Sequence, residues 1–229
     1  MNDRDREKHA VIGTLAEGSV HRALKLFADS DESHHEVVFD GFVLDVFDGV
    51  EITEIQTRSF QYLIPKIRAL ADKYSFTVLC PVVKNKLTVR VDKQTGEHSE
   101  PRKSPKKEGA ESLAREIYAI ADFIKAGLVK LRVAEISATE YRLYRNDRRG
   151  EIIDRLLDDI ITVRDFSTPS DYAKIFLPTA LAGEFTAKDY AKATRLPARI
   201  AYYGIRLMQS FGYVGFKCKR GREYIYEIF

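Results

Sequence analysis

The stretch that most constrains this fold runs from Phe42 to Phe60, FVLDVFDGVEITEIQTRSF, where an Asp-Gly pair separates two apolar runs. Asp-Gly between two such runs is typical of a two-residue turn that joins antiparallel strands. A turn at Asp48-Gly49 places Asp45 opposite Ile52, and Glu54 then lies diagonally across from Asp45. Diagonal neighbours are about 7–8 Å apart, so the two carboxylates are predicted to be close enough to share one metal ion.

A second Asp-Gly pair precedes the first and extends the hairpin to a three-strand meander. A turn at Asp40-Gly41 places Glu36 opposite Asp45, so that Glu36, Asp45 and Glu54 share one face, with Gln56 further along it. Carboxylates in a largely apolar sheet are costly unless they are compensated, and a cation is the simplest compensation. The alternative is that the Asp-Gly pairs only form turns and that Glu54 marks a frayed strand end.

The composition describes a globular protein that is not disordered. The chain has 229 residues, of which 45% are hydrophobic and 31% are charged, enough for one large domain or two small ones. Cys80 and Cys218 lie far apart and show no ligand spacing, which favours reduced, buried thiols in a cytoplasmic protein. The charged start has no signal-peptide pattern, and no apolar run is long enough to span a membrane, so we expect no membrane partner.

The rest of the N-terminal part alternates between helical and strand patterns. Because a helix separates the hairpin from the next strand, part of the sheet is predicted to be parallel. Residues 151–163 fit a helix or a strand equally. The predicted helices cover residues 14–29, 59–74 (with a kink or a late start at Pro65) and 111–126, and the predicted strands cover 76–83, 86–91 and 128–144.

Two further groups of polar side chains are candidates for the site. Glu17, His21 and Lys25 share one face of the first helix and could approach the carboxylates, although a solvated helix face is the alternative. The polar stretch 92–109 carries Arg102 and Lys103, which we predict either to hold a phosphate backbone or to belong to a solvated surface loop.

The C-terminal segment concentrates positive charge. Residues 186–229 contain nine basic and three acidic residues, a net charge of +6, whereas the whole chain carries +3. A basic segment on a mildly acidic body predicts a polyanionic partner.

The order of elements in this segment is that of a winged helix-turn-helix. Thr186 and Asp189 have the spacing of a capping box, Pro197 opens a longer helix, and two strands over 213–217 and 222–228 follow. The alternative is a module used for dimerisation or for a protein partner. The predicted DNA contacts are Arg199, Tyr202 and Arg206 on the second helix, and Lys217, Lys219, Arg220 and Arg222 on the hairpin.

With these residues in place, the N-terminal part resembles the PD-(D/E)xK nuclease superfamily, which has the restriction-endonuclease-like fold. The resemblance implies a mixed α/β sheet flanked by helices over residues 1–165, with a winged helix-turn-helix domain over 170–229. Asp45 and Glu54 match the acidic positions of the superfamily motif. Gln56 stands where the motif has lysine, and Lys66 on the following helix is expected to supply a displaced ammonium group. The whole chain also looks like a prokaryotic family of uncharacterised proteins that joins such a domain to a winged helix.

The function that this resemblance implies is metal-dependent DNA cleavage. Asp45 and Glu54 are expected to hold Mg²⁺ or Mn²⁺ with the Ile55 carbonyl, and Glu36 to complete the shell. Gln56 could orient a water or a phosphate, but it carries no positive charge. The alternative is a non-catalytic DNA-binding regulator that uses the nuclease-like domain as a scaffold. RNA as the substrate and a homodimer are both left open.

Overall fold

A mixed sheet of seven strands forms the centre of the fold within residues 18–57, 59–105, 108–144, 150–181 and 183–229, which the computed structural model describes. The helices are α1 (Ser19–Ala28), α2 (Ile64–Leu70), α3 (Ala114–Ala119), α4 (Ala121–Lys125), α5 (Pro169–Phe176), α6 (Ala187–Thr194) and α7 (Ala198–Ser210). The strands are β1 (His35–Phe39), β2 (Phe42–Phe47), β3 (Glu51–Ile55), β4 (Ser75–Asp92), β5 (Arg102–Lys103), β6 (Lys130–Tyr144), β7 (Glu151–Phe166), β8 (Glu184–Thr186), β9 (Val214–Arg220) and β10 (Glu223–Ile228).

The strand order of this sheet is β1-β2-β3-β4-β6-β7, with β5 attached to β4. Strands β1, β2 and β3 form an antiparallel meander, β3 and β4 are parallel, β4 and β6 are parallel, and β6 and β7 are antiparallel. The connection through α2 makes the first parallel pair, because parallel neighbours need a crossover. The predicted α/β class and the mixed sheet flanked by helices are therefore confirmed.

The predicted register of the second hairpin is wrong by two residues. Phe47, not Asp45, lies opposite Ile52. Four residues, 48–51, separate the paired Phe47 and Ile52. Within this connection the Asp48 carboxylate accepts hydrogen bonds from the backbone N–H groups of Val50 and Glu51, at 2.8 and 2.7 Å. A shift of two residues keeps each side chain on its predicted face. Asp45 therefore lies beside Glu54 rather than diagonal to it.

The first hairpin has the predicted register. Phe39 pairs with Phe42 across the Asp40-Gly41 turn, in which both residues have positive φ angles, 49° and 79°. This turn holds β1 against β2 as far as the pair His35 and Val46.

Other predicted boundaries change where tertiary packing intervenes. The two strands predicted over 76–83 and 86–91 are the single strand β4, with a bulge between Val83 and Asn85. Pro65 lies in the first turn of α2, which confirms the late start. The ambiguous segment 151–163 is strand, and the helix predicted over 111–126 is interrupted at Ile120. Residues 14–17 of the first predicted helix lie outside the described residues.

Two apolar cores lie in this structure. The smaller one joins α1 to the sheet through Leu24, Ile55 and Leu79. The larger one continues from the sheet into the C-terminal segment, where Leu207 joins the same buried cluster as Ile117. The two parts of the chain therefore share a core across the predicted boundary. None of the described helices is long and apolar enough to cross a membrane.

The C-terminal segment combines α5, α6 and α7 with a three-stranded antiparallel sheet of order β8-β10-β9. Thr186 and Asp189 form the predicted capping box at the start of α6. The predicted hairpin is present, but its strands pair up to Arg220 and Glu223, so that Gly221 and its neighbour form the turn. Strand β8, which the sequence pattern did not predict, adds the third strand.

Candidate functional site

The candidate site lies where strands β2 and β3 separate. Their ladder ends at the pair Val46 and Thr53, and side chains bridge the next step. The Asp45 N–H donates to Glu54 Oε1 at 3.3 Å, and the Ile55 N–H donates to Asp45 Oδ2 at 2.8 Å. Each carboxylate thus accepts a backbone hydrogen bond from the opposite strand. This arrangement, which we call the carboxylate fork, fixes Asp45 and Glu54 side by side.

Helix α2 brings an ammonium group to the carboxylate fork. Lys66 Nζ lies 2.6 Å from Glu54 Oε2 and 2.8 Å from Oε1, and it also donates to the Val43 carbonyl at 2.6 Å. The Glu54 side chain is only 3% exposed and that of Lys66 20% exposed, so this is a largely desolvated ion pair. The structure therefore brings together the two acidic residues and the lysine that the resemblance singled out.

Helix α1 approaches the fork from another side. His21 Nε2 is 3.4 Å from Asp45 Oδ2. One turn further along, Lys25 Nζ is 2.8 Å from Glu36 Oε1, and the Lys25 side chain is only 5% exposed. Of the two alternatives for this helix face, the approach to the carboxylates is the one observed for His21 and Lys25. Glu17 lies outside the described residues.

The two carboxyl groups of the fork have different protonation behaviour. Burial and the charge of Asp45 raise the pKa of Glu54 to about 7, although Lys66 opposes that rise. Burial acts to raise the pKa of Asp45 as well, but the hydrogen bond and charge of His21, the Ile55 N–H and Lys66 hold it below its ordinary value. Adjacent carboxyl groups with separated pKa values are a common arrangement for acid–base chemistry.

The other predicted ligands are arranged differently. The Glu36 backbone has a φ of 51°, and its carboxylate, 64% exposed, pairs with Lys25. Among the described residues no three His, Cys, Asp or Glu side chains are grouped so as to hold a metal ion, so Glu36 does not join the fork. Gln56 is half-buried, and its N–H donates to the Leu79 carbonyl at 2.8 Å. Ile55, whose carbonyl is a predicted ligand, is buried.

The donor chemistry of the fork suits a small divalent cation. Mg²⁺ is commonly held by one or two carboxylates, with water and substrate oxygens completing its shell. With both carboxylates ionised and His21 neutral, the fork with Lys66 and His21 carries a net charge of −1 in a mostly buried place, which a cation would offset. Asp45, Glu54 and the Ile55 carbonyl are the groups that could hold it.

The basic loop predicted over 92–109 is partly ordered by the sheet. Arg102 and Lys103 form β5 and pair with Thr88 and Leu87 of β4. Both basic residues are exposed. They therefore lie on a strand at a fixed position rather than on an extended loop.

Helix α7 presents its predicted contacts to solvent, but it has a neighbour. Arg199, Tyr202 and Arg206 are all exposed. The Arg206 Nη2 atom lies 3.5 Å from the Tyr118 hydroxyl of α3. The side of α7 that bears Arg206 therefore lies against the N-terminal part of the chain.

The cations of the hairpin are partly neutralised. Lys217 and Arg220 lie 3.0 and 2.6 Å from the carboxylate of Glu184, which precedes the segment whose charge was counted. Lys219 and Arg222 have no ion pair among the described residues, and Lys219 Nζ lies 5.7 Å from the ring centroid of Tyr224. Glu184 lowers the net charge of this segment from +6 to +5.

Sequence reasoning missed a buried charge network on the long strands. Glu140 is fully buried, and it accepts from Arg142 Nε at 2.6 Å and Arg155 Nη2 at 2.5 Å, with Lys86 Nζ at 3.5 Å. Burial acts to raise the pKa of Glu140, but these cations hold it below its ordinary value. The available signal was a carboxylate inside an apolar strand pattern with basic residues in the neighbouring strands.

Comparison with known proteins places the carboxylate fork within a family. Residues 18–167 match the family described as "Domain of unknown function (DUF8091)", well over half of the chain, and the chain belongs to this family. It is also 28% identical over 226 residues to an uncharacterized protein of Treponema pallidum (strain Nichols), covering 94% of this chain and 87% of that protein. No solved structure matches the chain. The fork and Lys66 lie inside the family match, and helix α7 and the hairpin lie outside it.

Proposed function

We propose that this member of the DUF8091 family is a metal-dependent nuclease that hydrolyses phosphodiester bonds of DNA at Asp45, Glu54 and Lys66. The carboxylate fork carries the proposal. Two acidic side chains replace ladder hydrogen bonds between two strands, and an ammonium group from the next helix contacts one of them. The two carboxylates can bind a metal ion, and the ammonium group can stabilise negative charge that develops on a phosphate beside it.

The fold supports the same proposal. A helix, a three-strand meander, a helix and a strand parallel to the meander follow one another in the order that the PD-(D/E)xK resemblance implies. We therefore propose a restriction-endonuclease-like fold for the family part of the chain. The C-terminal order of two helices and a basic hairpin favours a winged helix-turn-helix for residues 170–229.

In the proposed reaction, Asp45 and Glu54 would hold Mg²⁺ or Mn²⁺ with the Ile55 carbonyl. When bound, such an ion lowers the pKa of a water and polarises the scissile phosphate. Lys66 keeps Glu54 oriented and is positioned to donate to an anionic oxygen as charge develops. Gln56 supplies no charge, so the positive charge beside Glu54 comes from Lys66, whereas His21 lies beside Asp45.

The DNA partner is supported by the exposed cations on two parts of the surface. Arg102 and Lys103 lie on β5, and Arg199, Lys219 and Arg222 lie on the C-terminal segment without an ion pair among the described residues. Cations of this kind provide the sequence-independent part of nucleic-acid affinity.

A second candidate function is DNA binding without catalysis. The observation that favours it is the Lys66–Glu54 ion pair itself, because an ammonium group already compensates the buried carboxylate. The lack of a third acidic neighbour within the described residues points the same way.

Cleavage assays separate the two functions. Purified protein is incubated with supercoiled and linear DNA in Mg²⁺, Mn²⁺ or EDTA, and the products are resolved on gels. We expect metal-dependent cleavage that is lost in both Asp45→Asn and Glu54→Gln. Glu51→Gln, which removes a carboxylate from the same strand outside the fork, is the matched control and should retain cleavage. Binding without cleavage under every metal would refute the nuclease and favour the regulator.

A further inference from the structure

Five aromatic side chains form two adjoining groups on the C-terminal segment, which we call the aromatic band. Tyr202 and Tyr203 of α7 have ring centroids 5.6 Å apart. On the hairpin, the ring of Phe216 lies 5.8 Å from that of Tyr224 and 6.5 Å from that of Tyr226. Tyr202, Phe216 and Tyr224 are each more than half exposed, at 51%, 55% and 54%.

The two groups of rings lie on consecutive elements of the chain. Strand β9 follows α7 directly, so the rings of α7 and of the hairpin belong to one small part of the C-terminal segment. Exposed aromatic rings concentrated in this way mark a site of interaction.

The cations beside the aromatic band identify the chemistry of its partner. Lys219 lies over the Tyr224 ring, and Arg199 and Arg222 are exposed. None of these three has an ion pair in the described part of the chain, whereas Lys217 and Arg220 both pair with Glu184, and Lys217 also pairs with Glu227. Exposed rings bordered by uncompensated cations combine stacking surfaces for bases with contacts for phosphates.

The surroundings of α7 argue against its insertion into a duplex. The rings of Tyr118 and Tyr203 are 5.9 Å apart, and Arg206 contacts Tyr118, so α3 lies alongside α7. A cleft of about 450 Å³ opens beside the two helices, and its charged lining residues are Arg115, Glu116 and Asp122. The major groove is about 12 Å wide and admits one helix. A single strand, by contrast, can follow a surface formed by a helix and a hairpin.

We infer that the aromatic band binds single-stranded nucleic acid, with bases stacked on Tyr202, Phe216 and Tyr224 and phosphates held by Arg199, Lys219 and Arg222. This inference rests on the proposed function in one respect, because it names the form of nucleic acid that is delivered to the carboxylate fork. Binding itself requires neither metal nor cleavage.

Fluorescence anisotropy in EDTA tests the inference. The probes are oligothymidylate and oligouridylate of about 20 nucleotides and a DNA duplex of the same length. We expect one or both single strands to bind at least about tenfold more tightly than the duplex. Phe216→Ala and Tyr224→Ala should each weaken that binding about 5- to 150-fold, which corresponds to about 1–3 kcal/mol per stacked base. Phe216→Tyr, which keeps the ring, should restore it.

Two controls make the outcome decisive. Tyr62→Ala removes a side chain that is 77% exposed and outside the aromatic band, so it should bind like the wild type. The chain has no Trp, so quenching of tyrosine emission on adding oligothymidylate reports stacking directly, and it should diminish in Tyr224→Ala. Tighter or equal binding of the duplex, or wild-type binding by both alanine variants, would overturn the inference.

Failure of the proposed nuclease would be distinguishable from failure of this inference. Glu51→Gln, which removes a carboxylate outside the fork, should bind the single strand like the wild type in EDTA. If no cleavage occurs under any metal and single-strand binding still depends on Phe216 and Tyr224, the inference stands and the nuclease falls. If cleavage occurs but the duplex is preferred, the nuclease stands and the inference falls.

Discussion

Replacing Glu54 with glutamine should stabilise the metal-free protein at alkaline pH. Burial and the charge of Asp45 raise the pKa of Glu54 from 4.5 to about 7, against the opposing effect of Lys66. The folded state therefore holds this proton more tightly than the unfolded chain does. The resulting stabilisation is fully present below about pH 4.5 and is lost as the pH rises through 7. At about 1.4 kcal/mol per pH unit, this interval corresponds to about 3 kcal/mol.

The glutamine side chain stays uncharged at every pH, so the variant should not show this loss. Its free energy of unfolding relative to the wild type should increase by about 3 kcal/mol between about pH 4.5 and pH 8. Urea denaturation in EDTA, followed by circular dichroism across that range, measures the difference. Glu32→Gln, which removes an exposed carboxylate, is the control. A difference between Glu54→Gln and wild type that does not change with pH would refute the reasoning.

Three further predictions concern the rest of the chain. Glu140→Gln removes the buried carboxylate that pairs with the partly exposed Arg142 and Arg155 and should cost about 1–3 kcal/mol in urea denaturation, so an unchanged midpoint would contradict the network. Only Cys218 should react with Ellman's reagent in the folded protein, because Cys80 is buried and its thiol pKa is raised by burial; rapid reaction of both thiols before unfolding would contradict this. Gly204→Ala should lower the free energy of unfolding by about 1–3 kcal/mol, because the added Cβ would lie 2.5 Å from the hydroxyl of the buried Tyr190. The melting temperature should therefore fall, and an unchanged melting temperature would contradict this.

The meander was predictable from the sequence because its signals are local. Two Asp-Gly pairs mark the turns, and alternation marks the strands between them. The loop length was not predictable, since it depends on two hydrogen bonds accepted by the Asp48 side chain. The resulting error of two residues left the meeting of Asp45 and Glu54 intact, because strand faces repeat every two residues.

The contacts made by the helices required tertiary structure. His21 was one candidate on a helix face that could equally have been solvated, and only packing of α1 against the sheet brings it to 3.4 Å from Asp45. The same applies to Glu184, whose strand is three residues long and is held by its pairing with β10. The conformation of such a short segment is determined by the strand with which it pairs, so it cannot be predicted from the segment's own residues.

The long strands show a different limit of sequence reasoning. The sequence pattern predicted two strands over 76–83 and 86–91, yet β4 extends over 18 residues and absorbs an extra residue in a bulge. The charges are tolerated because they are paired, as Glu140 is with Arg142 on its own strand and with Arg155 and Lys86 on the two neighbouring strands. The partners from the neighbouring strands, Arg155 and Lys86, lie 15 or more positions from Glu140 along the chain, so no local window contains this pairing.

Gln56, two positions after Glu54, is a poor guide to the charge in this site. Its backbone N–H donates to the Leu79 carbonyl of β4, and it stands at the position for which the resemblance predicts lysine. The ammonium group arrives instead from α2, at 2.6 Å from Glu54 across a sequence separation of 12 residues. Because α2 packs beside the meander, Lys66 in its first turn reaches both Glu54 and the Val43 carbonyl. The absence of a lysine from the motif therefore changes where the charge originates and leaves a positive charge beside Glu54.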